Sequence, residues 1–454
     1  MRSPLFYAYL FVLFFAPLAF GTVELWSLFV LETTVIAGFV LYVFLSIRNR
    51  EIIFKVPGSY ALLCLLALII VQLIPLPQIV LKVISPGSLA GYKPLIDNSG
   101  GSVWLPISLN QKLTLQQLLR VSTYAVFYVL TIQLLRDTEL IKKTVNSVVY
   151  LGFGVAILAL FQMVSSNGLI YWIRPAPGGA PGGPWININQ YAAFIEAITP
   201  LALALFLFYR ASPGAHLQPK GIAEFLSSPR SGKKLFLGVV VCLMVFSVFF
   251  SLCRGGIITI SLSLILFAFL IGYKKKRYKN FALFAVIGFS LVGVSWFGWQ
   301  PIISEFDKAI DANGAITDGR LTLWKDTLVI IRDYLFVGGG FGTFIDLYPA
   351  YKTIATDSIF EHAHNDYLEL LTDGGIIGFA LAAWFCLSVL VHGFKKLRVR
   401  KDRFAVLMGV GAFTSICALL MHSVVDFNMH NGAIGLYFFF LCGLLVAVLN
   451  TRPI

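Results

Sequence analysis

Three stretches decide how this chain is read: D-G-R-L-T-L-W-K-D at 318–326, G-G-G-F-G-T-F at 338–344 and E-H-A-H-N-D-Y-L-E-L-L-T-D-G-G-I-I-G at 361–378. Together they form a polar island. Residues 301–374 hold 12 of the 22 acidic residues and two of the six histidines, but only 5 of the 35 lysines and arginines. The chain around them is 58% hydrophobic and 13% charged, with a mean hydropathy of +0.83. Soluble domains carry about 25% charged residues. Hydrogen-bonding side chains at this density, inside so apolar a chain, point to a site and not to a linker.

Apolar runs of about 18–25 residues recur from end to end, which is the signature of an all-α polytopic membrane protein. A β-barrel is excluded, because barrels show short alternating segments. The runs predict about twelve transmembrane helices, near 4–20, 25–46, 58–74, 117–135, 144–163, 190–208, 235–252, 256–273, 280–299, 375–393, 404–424 and 432–449. The first reads as a retained span, since Pro17 interrupts it and no convincing small-x-small cleavage site follows.

The net charge of +13 does not mark a nucleic-acid binder, because the basic residues sit in short clusters between apolar runs. Loops on the N-terminal side of the membrane, such as 274–279 and 395–403, collect 24 of the 35 lysines and arginines. The positive-inside rule then makes both termini cytoplasmic and sets the polar island outside, in the periplasm of a Gram-negative host. Trp172, Trp185, Trp296 and Trp299 fall near that outer surface, as an aromatic belt does. The six cysteines have neither metal-ligand nor disulfide spacing and read as packing residues.

The chain divides into N-terminal helices with irregular outer loops over 1–184, and a core over 185–454 with a periplasmic loop at 300–374. Residues 75–116 are rich in Pro and Gly and read as an irregular loop, and the P-A-P-G-G-A-P-G-G-P run within 164–189 cannot be helix. Inside the island, Leu321, Trp324, Leu328, Ile331 and Leu335 follow a 3-4 spacing, with Lys325, Asp326, Arg332 and Asp333 opposite. This predicts an amphipathic helix capped by Asp318, stopped by Gly338–Gly340 and lying on the outer membrane surface. A second, short helix is expected from Asn365, with Asp366 and Glu369 in a capping-box relation and a stop at Asp373-Gly374-Gly375. His364 then stands just ahead of a helix N-terminus.

Several residues are candidates for chemistry. Arg254, in S-L-C-R-G-G at an outward turn, is a functional candidate or an arginine that snorkels to lipid phosphate. Arg320 adds a second outward guanidinium, and arginine forks match phosphate oxygens. His364 is a general-base candidate beside Asn365. His362 could pair with it in an H-x-H metal site completed by Glu361 or Asp366, but no third ligand is spaced convincingly. His422 and Asp426 can pair across one helical turn in a supporting role. Glu24, Glu32 and Glu196 are carboxylates in or near the membrane, able to line a polar groove or, in a transporter, a proton path.

Taken together, S-L-C-R-G-G at 251–256, G-R-L-T-L-W at 319–324 with V-G-G-G-F-G-T-F at 337–344, H-N-D-Y-L-E-L-L-T-D-G-G-I-I-G at 364–378 and H-S-V-V-D-F at 422–427 resemble the bacterial O-antigen ligases. The resemblance extends to O-antigen and exopolysaccharide polymerases and to O-oligosaccharyltransferases, and N-I-N-Q-Y-A-A-F at 187–194 adds weaker support. It implies a GT-C-like, metal-independent, inverting glycosyltransferase without cofactor. Its donor would be an undecaprenyl-diphosphate-linked glycan, and its acceptor a hydroxyl of lipid A-core, a growing glycan or another molecule. Arg254 and Arg320 would bind the donor diphosphate and His364 would activate the acceptor, with Asn365, Trp324, His422 and Asp426 in support. Two departures stand out. Cys253 occupies a position where the family more often has serine, and His430-Asn431 stand where a proline often follows. The rival class is a multispan transporter or flippase.

Overall fold

Long apolar runs leave the backbone no polar partner but itself, so they fold as helices. The computed structural model describes residues 3–50, 53–99, 103–176, 182–209, 229–274, 319–354 and 359–451. Among them, eight helices are long and apolar enough to cross a membrane. These are Leu25–Arg48, Thr138–Ser165, Ile188–Phe208, Pro229–Phe250, Arg254–Lys274, Asp366–Val399, Arg403–His422 and Gly432–Asn450. Three of the other expected spans are also helices, at Ser3–Leu18, Ser59–Leu73 and Gln111–Leu134. The span expected at 280–299 and the Asp318 cap lie outside the described residues. The protein is an all-α polytopic membrane protein.

The Ile188–Phe208 and Gly432–Asn450 helices are buried along nearly their whole length, whereas Leu25–Arg48 exposes Phe29, Val40, Phe44 and Ile47 to the surroundings. Small residues allow the central helices to approach closely. A Cβ on Gly256 would sit 2.7 Å from Ala192 Cβ, so the Arg254–Lys274 and Ile188–Phe208 helices meet where no larger residue fits.

Three expectations are corrected. Residues 78–99, expected as irregular, form short helices at Gln78–Ile84, Pro86–Gly91 and Lys93–Ser99. Trp185 is not a belt residue: it is fully buried against Phe194, 4.8 Å between ring centroids. The amphipathic helix, Arg320–Asp333, buries Leu323, Asp326, Thr327, Ile330 and Ile331 against protein, while Leu321 and Leu328 of the expected apolar stripe stay exposed. Asp326 turns inward because Tyr348 and Thr353 hydroxyls and the Thr353 N–H all donate to it.

The short helix expected to stop at Gly375 does break at that glycine (φ 61°, ψ −167°), and the expected span continues beyond it, so that the two together run from Asp366 to Val399. The break is stitched to the turn after the amphipathic helix. Ile376 and Ile377 N–H donate to Leu335 and Phe336 carbonyls (2.8 and 3.2 Å), and Gly339 and Gly340 N–H donate to Thr372 and Asp373 carbonyls (2.9 and 3.1 Å). Buried Gln72 completes the splice. Its Nε2 donates to Val337 O and Asp373 O (2.6 and 2.8 Å), and its Oε1 accepts from Phe341 N (3.2 Å). Backbone groups freed by the irregular helix are thereby satisfied away from water, as an apolar surrounding demands.

Candidate functional site

The His422 helix ends at that residue, and the turn that follows, Ser423–Phe427, is where the separated motifs meet. Arg320 Nη1 donates to Val425 O at 2.7 Å. His364 Nδ1 lies 3.6 Å from Asp426 Oδ1, just beyond hydrogen-bonding distance. Gly255 packs on the same turn, since a Cβ there would be 3.0 Å from Val425 Cγ2 and 3.1 Å from His422 Nε2. Arg320, His364 and the start of the Arg254 helix thus meet at one small region.

Each motif has a local reason for its shape. Asn365 caps the following helix by accepting from Tyr367 and Leu368 N–H (3.0 and 3.1 Å). His364 ahead of it takes φ +49°, a left-handed conformation that costs a non-glycine residue about 1–3 kcal/mol and recurs at functional sites. Trp324 Nε1 donates to Ala363 O (3.0 Å), tying the amphipathic helix to the His364 segment. Cys253 does what a serine cap would do: its Sγ accepts from Gly256 N–H (3.3 Å) at the start of the Arg254 helix.

The expected His422–Asp426 pairing is corrected. Because the helix stops at His422, the two side chains diverge. His422 Nδ1 meets Glu196 Oε2 at 3.2 Å inside the bundle, and Asp426 accepts from Phe427 N–H and faces His364. Burial raises the Asp426 pKa, but His364, the His422 charge, the Phe427 N–H and Arg320 outweigh it and hold the carboxyl below its usual value. Glu196 is therefore a partner of His422, and Glu24 pairs with Arg174 (2.5 Å).

Residues 239–383 match the family model described as O-antigen ligase. That segment is an O-antigen ligase domain, which supports the O-antigen ligase superfamily for this chain. No match was found among curated proteins. The matched O-antigen ligase segment contains Arg254, Arg320 and His364, while His422, Asp426 and His430 lie beyond it.

Beside the candidate site lies a second cluster that spacing alone did not reveal. His362 pairs with Glu369 and not with His364; its ring stacks on Phe427 (4.2 Å between centroids), to which the His364 ring is T-shaped (4.9 Å). His362 Nδ1 lies 2.7 Å and His430 Nε2 3.2 Å from the same oxygen, Oε1 of buried Glu369. His430 Nδ1 lies 3.2 Å from Asp366 Oδ1. Burial lowers the His430 pKa, but Glu369 and Asp366 override it and lift the imidazole to about 9. The signals in sequence were the metal reading of His362 with Asp366 and the Asp366–Glu369–Asp373 spacing, which places three carboxylates on one helical face. His430 itself carried none, because its partners lie far away in the chain.

Two cavities flank this cluster. A polar one of about 620 Å³ is bordered by Asn187, Gln190, Glu361, His362, His430 and Asn431. An apolar one of about 400 Å³ runs past Leu62, Tyr124, Phe341, Phe379 and Phe439 to Asp366 and His430.

Proposed function

We propose that the chain transfers a glycan from undecaprenyl diphosphate to an acceptor hydroxyl on the periplasmic side of the inner membrane. The observation that carries this reading is the convergence of His364 and Arg320 on the Val425–Asp426 turn, with the start of the Arg254 helix packed against it. In the proposed reaction the acceptor oxygen attacks the anomeric carbon while the sugar–oxygen bond to diphosphate breaks. The bonding pair leaves with the diphosphate, and the acceptor proton passes to His364 Nε2, the ring nitrogen away from Asp426. A single displacement inverts the anomeric centre. Two fixed guanidiniums would take up the negative charge that grows on the leaving diphosphate, the task a magnesium ion performs in other phosphate sites.

The orientation is supported by where the basic residues fall. Arg403 Nη2 donates to Leu207 O, and Lys233 Nζ to Tyr209 OH, at the ends of helices opposite those bearing His422 and Asn187. A lipid-linked donor is supported by the apolar cavity that reaches Asp366 and His430.

Purified protein in nanodiscs, given lipid-linked glycan and acceptor, tests the reading. Glycosidic-bond formation that disappears in His364→Ala is expected. Flipping of the donor with no new bond would establish the transporter class instead. Ligase and polymerase activities separate on a glycan gel of a deletion strain. Single-repeat chains mean a polymerase, and long chains left on the lipid carrier mean a ligase.

A further inference from the structure

The cluster of His362, Glu369 and His430 is not used by the reaction proposed above, and its geometry has the features of a cation site. One ligand atom from each residue lies within 4.8 Å of the others. The donors are two imidazole nitrogens and one carboxylate oxygen, a set that suits zinc. Each ligand is held from behind. Glu369 Oε2 accepts from Ala363 N–H (2.9 Å), His430 Nδ1 meets Asp366 Oδ1 (3.2 Å), and His362 stacks on Phe427. A carboxylate on the far nitrogen of a ligating imidazole fixes its tautomer and raises its basicity, the usual support for a zinc histidine. The site is reachable, because His362 and His430 border the polar cavity of about 620 Å³.

We propose that His362, Glu369 and His430 bind one zinc ion, with the fourth position open to the polar cavity and taken by water or a sugar hydroxyl. The ion would sit on the carboxylate-rich face of the Asp366 helix, apart from the two arginines assigned to the diphosphate. It would pin three pieces together: the segment carrying His364, the first turn of the Asp366–Val399 helix and the Asn428–His430 turn. Four-coordinate binding needs metal–nitrogen distances of about 2.0–2.1 Å. The 2.7 and 3.2 Å spacings about Glu369 Oε1 therefore have to open slightly around the ion. The alternative occupant is a proton, with Glu369 simply bridging two histidines.

Full-length protein in nanodiscs, stripped with chelator and titrated with zinc, decides between them. Metal content after gel filtration should be about one zinc per chain, and cobalt substitution should give the visible absorption of a tetrahedral site. His430→Ala and Glu369→Gln should lose the metal, while His364→Ala should keep it. Because the readout is metal content without substrate, it is independent of whether the glycosyl-transfer reading holds. Glu369→Gln keeps the side chain's size and one acceptor oxygen, so it remains informative if His430→Ala does not fold. Wild-type protein that stays metal-free at saturating zinc would overturn the proposal, and so would zinc retained in folded Glu369→Gln.

Discussion

Arg320 Nη1 reaches across to the Val425 carbonyl at 2.7 Å, so the amphipathic helix of the polar island is tied to the turn that closes the eleventh predicted span. That bond holds the guanidinium beside the Asp426–His364 contact. A donor diphosphate bound there would meet a positive charge already in place, which is the condition for electrostatic stabilisation without reorganisation.

Replacing His364 by Ala is expected to lower transfer by about 10²–10⁴-fold, the usual worth of a general base, with expression and donor binding retained. Asp426→Asn should keep the fold and lower kcat by less, since it removes only the charge that faces the imidazole. Initial rates and donor-binding isotherms on the two variants check this ordering. A His364→Ala protein with near-normal rates would remove the base assignment.

Lysine should not fully rescue Arg320. A lysine ammonium is a point charge without the planar fork, so it serves a carbonyl and a diphosphate together less well than the guanidinium. Arg320→Ala and Arg254→Ala are each expected to cost about 10²–10³-fold in kcat, with the lysine variants in between. Steady-state kinetics against donor concentration make the comparison.

Gly375→Ala should destabilise the protein strongly. The backbone there lies in a region essentially reserved for glycine, worth about 1–3 kcal/mol on conformation alone. An added Cβ would also meet Phe336 C at 2.3 Å. Gln72→Leu should act at the same splice, removing the Gln72 bonds to the buried Val337 carbonyl and Phe341 N–H at about 1–3 kcal/mol each, and leaving the Asp373 carbonyl with only its bond from Gly340 N–H. Thermal unfolding in detergent, followed by gel filtration, measures both.

Cys253→Ser should be close to neutral, because a hydroxyl can accept from Gly256 N–H as the sulfur does. Cys253→Ala removes the cap and should cost about 0.5–2 kcal/mol, read as a lower Tm and weaker donor use through the loosened Arg254 turn.

Much of this protein follows from local pattern. Apolar run length gave helices, basic clusters gave a sidedness, and Asn365 with Asp366 and Glu369 marked a helix start that the structure has at Asp366. The motifs around Arg254, Arg320 and His364 were readable because each is a short, contiguous departure from an apolar background. Partners were not readable in the same way. His422 looked ready to meet Asp426, but the end of the helix between them sent it to Glu196, 226 residues away. His430 had no local pattern at all, and its place beside Glu369 exists only because the last helices fold back onto the polar island.

The sequence of the 318–378 island by itself marked a polar, histidine-bearing segment as the candidate site, and the charge distribution supplied the expected side of the membrane. Only the tertiary structure decided which side chains share that site, because pairing depends on packing between helices far apart in the chain, and periodicity and spacing carry no term for that.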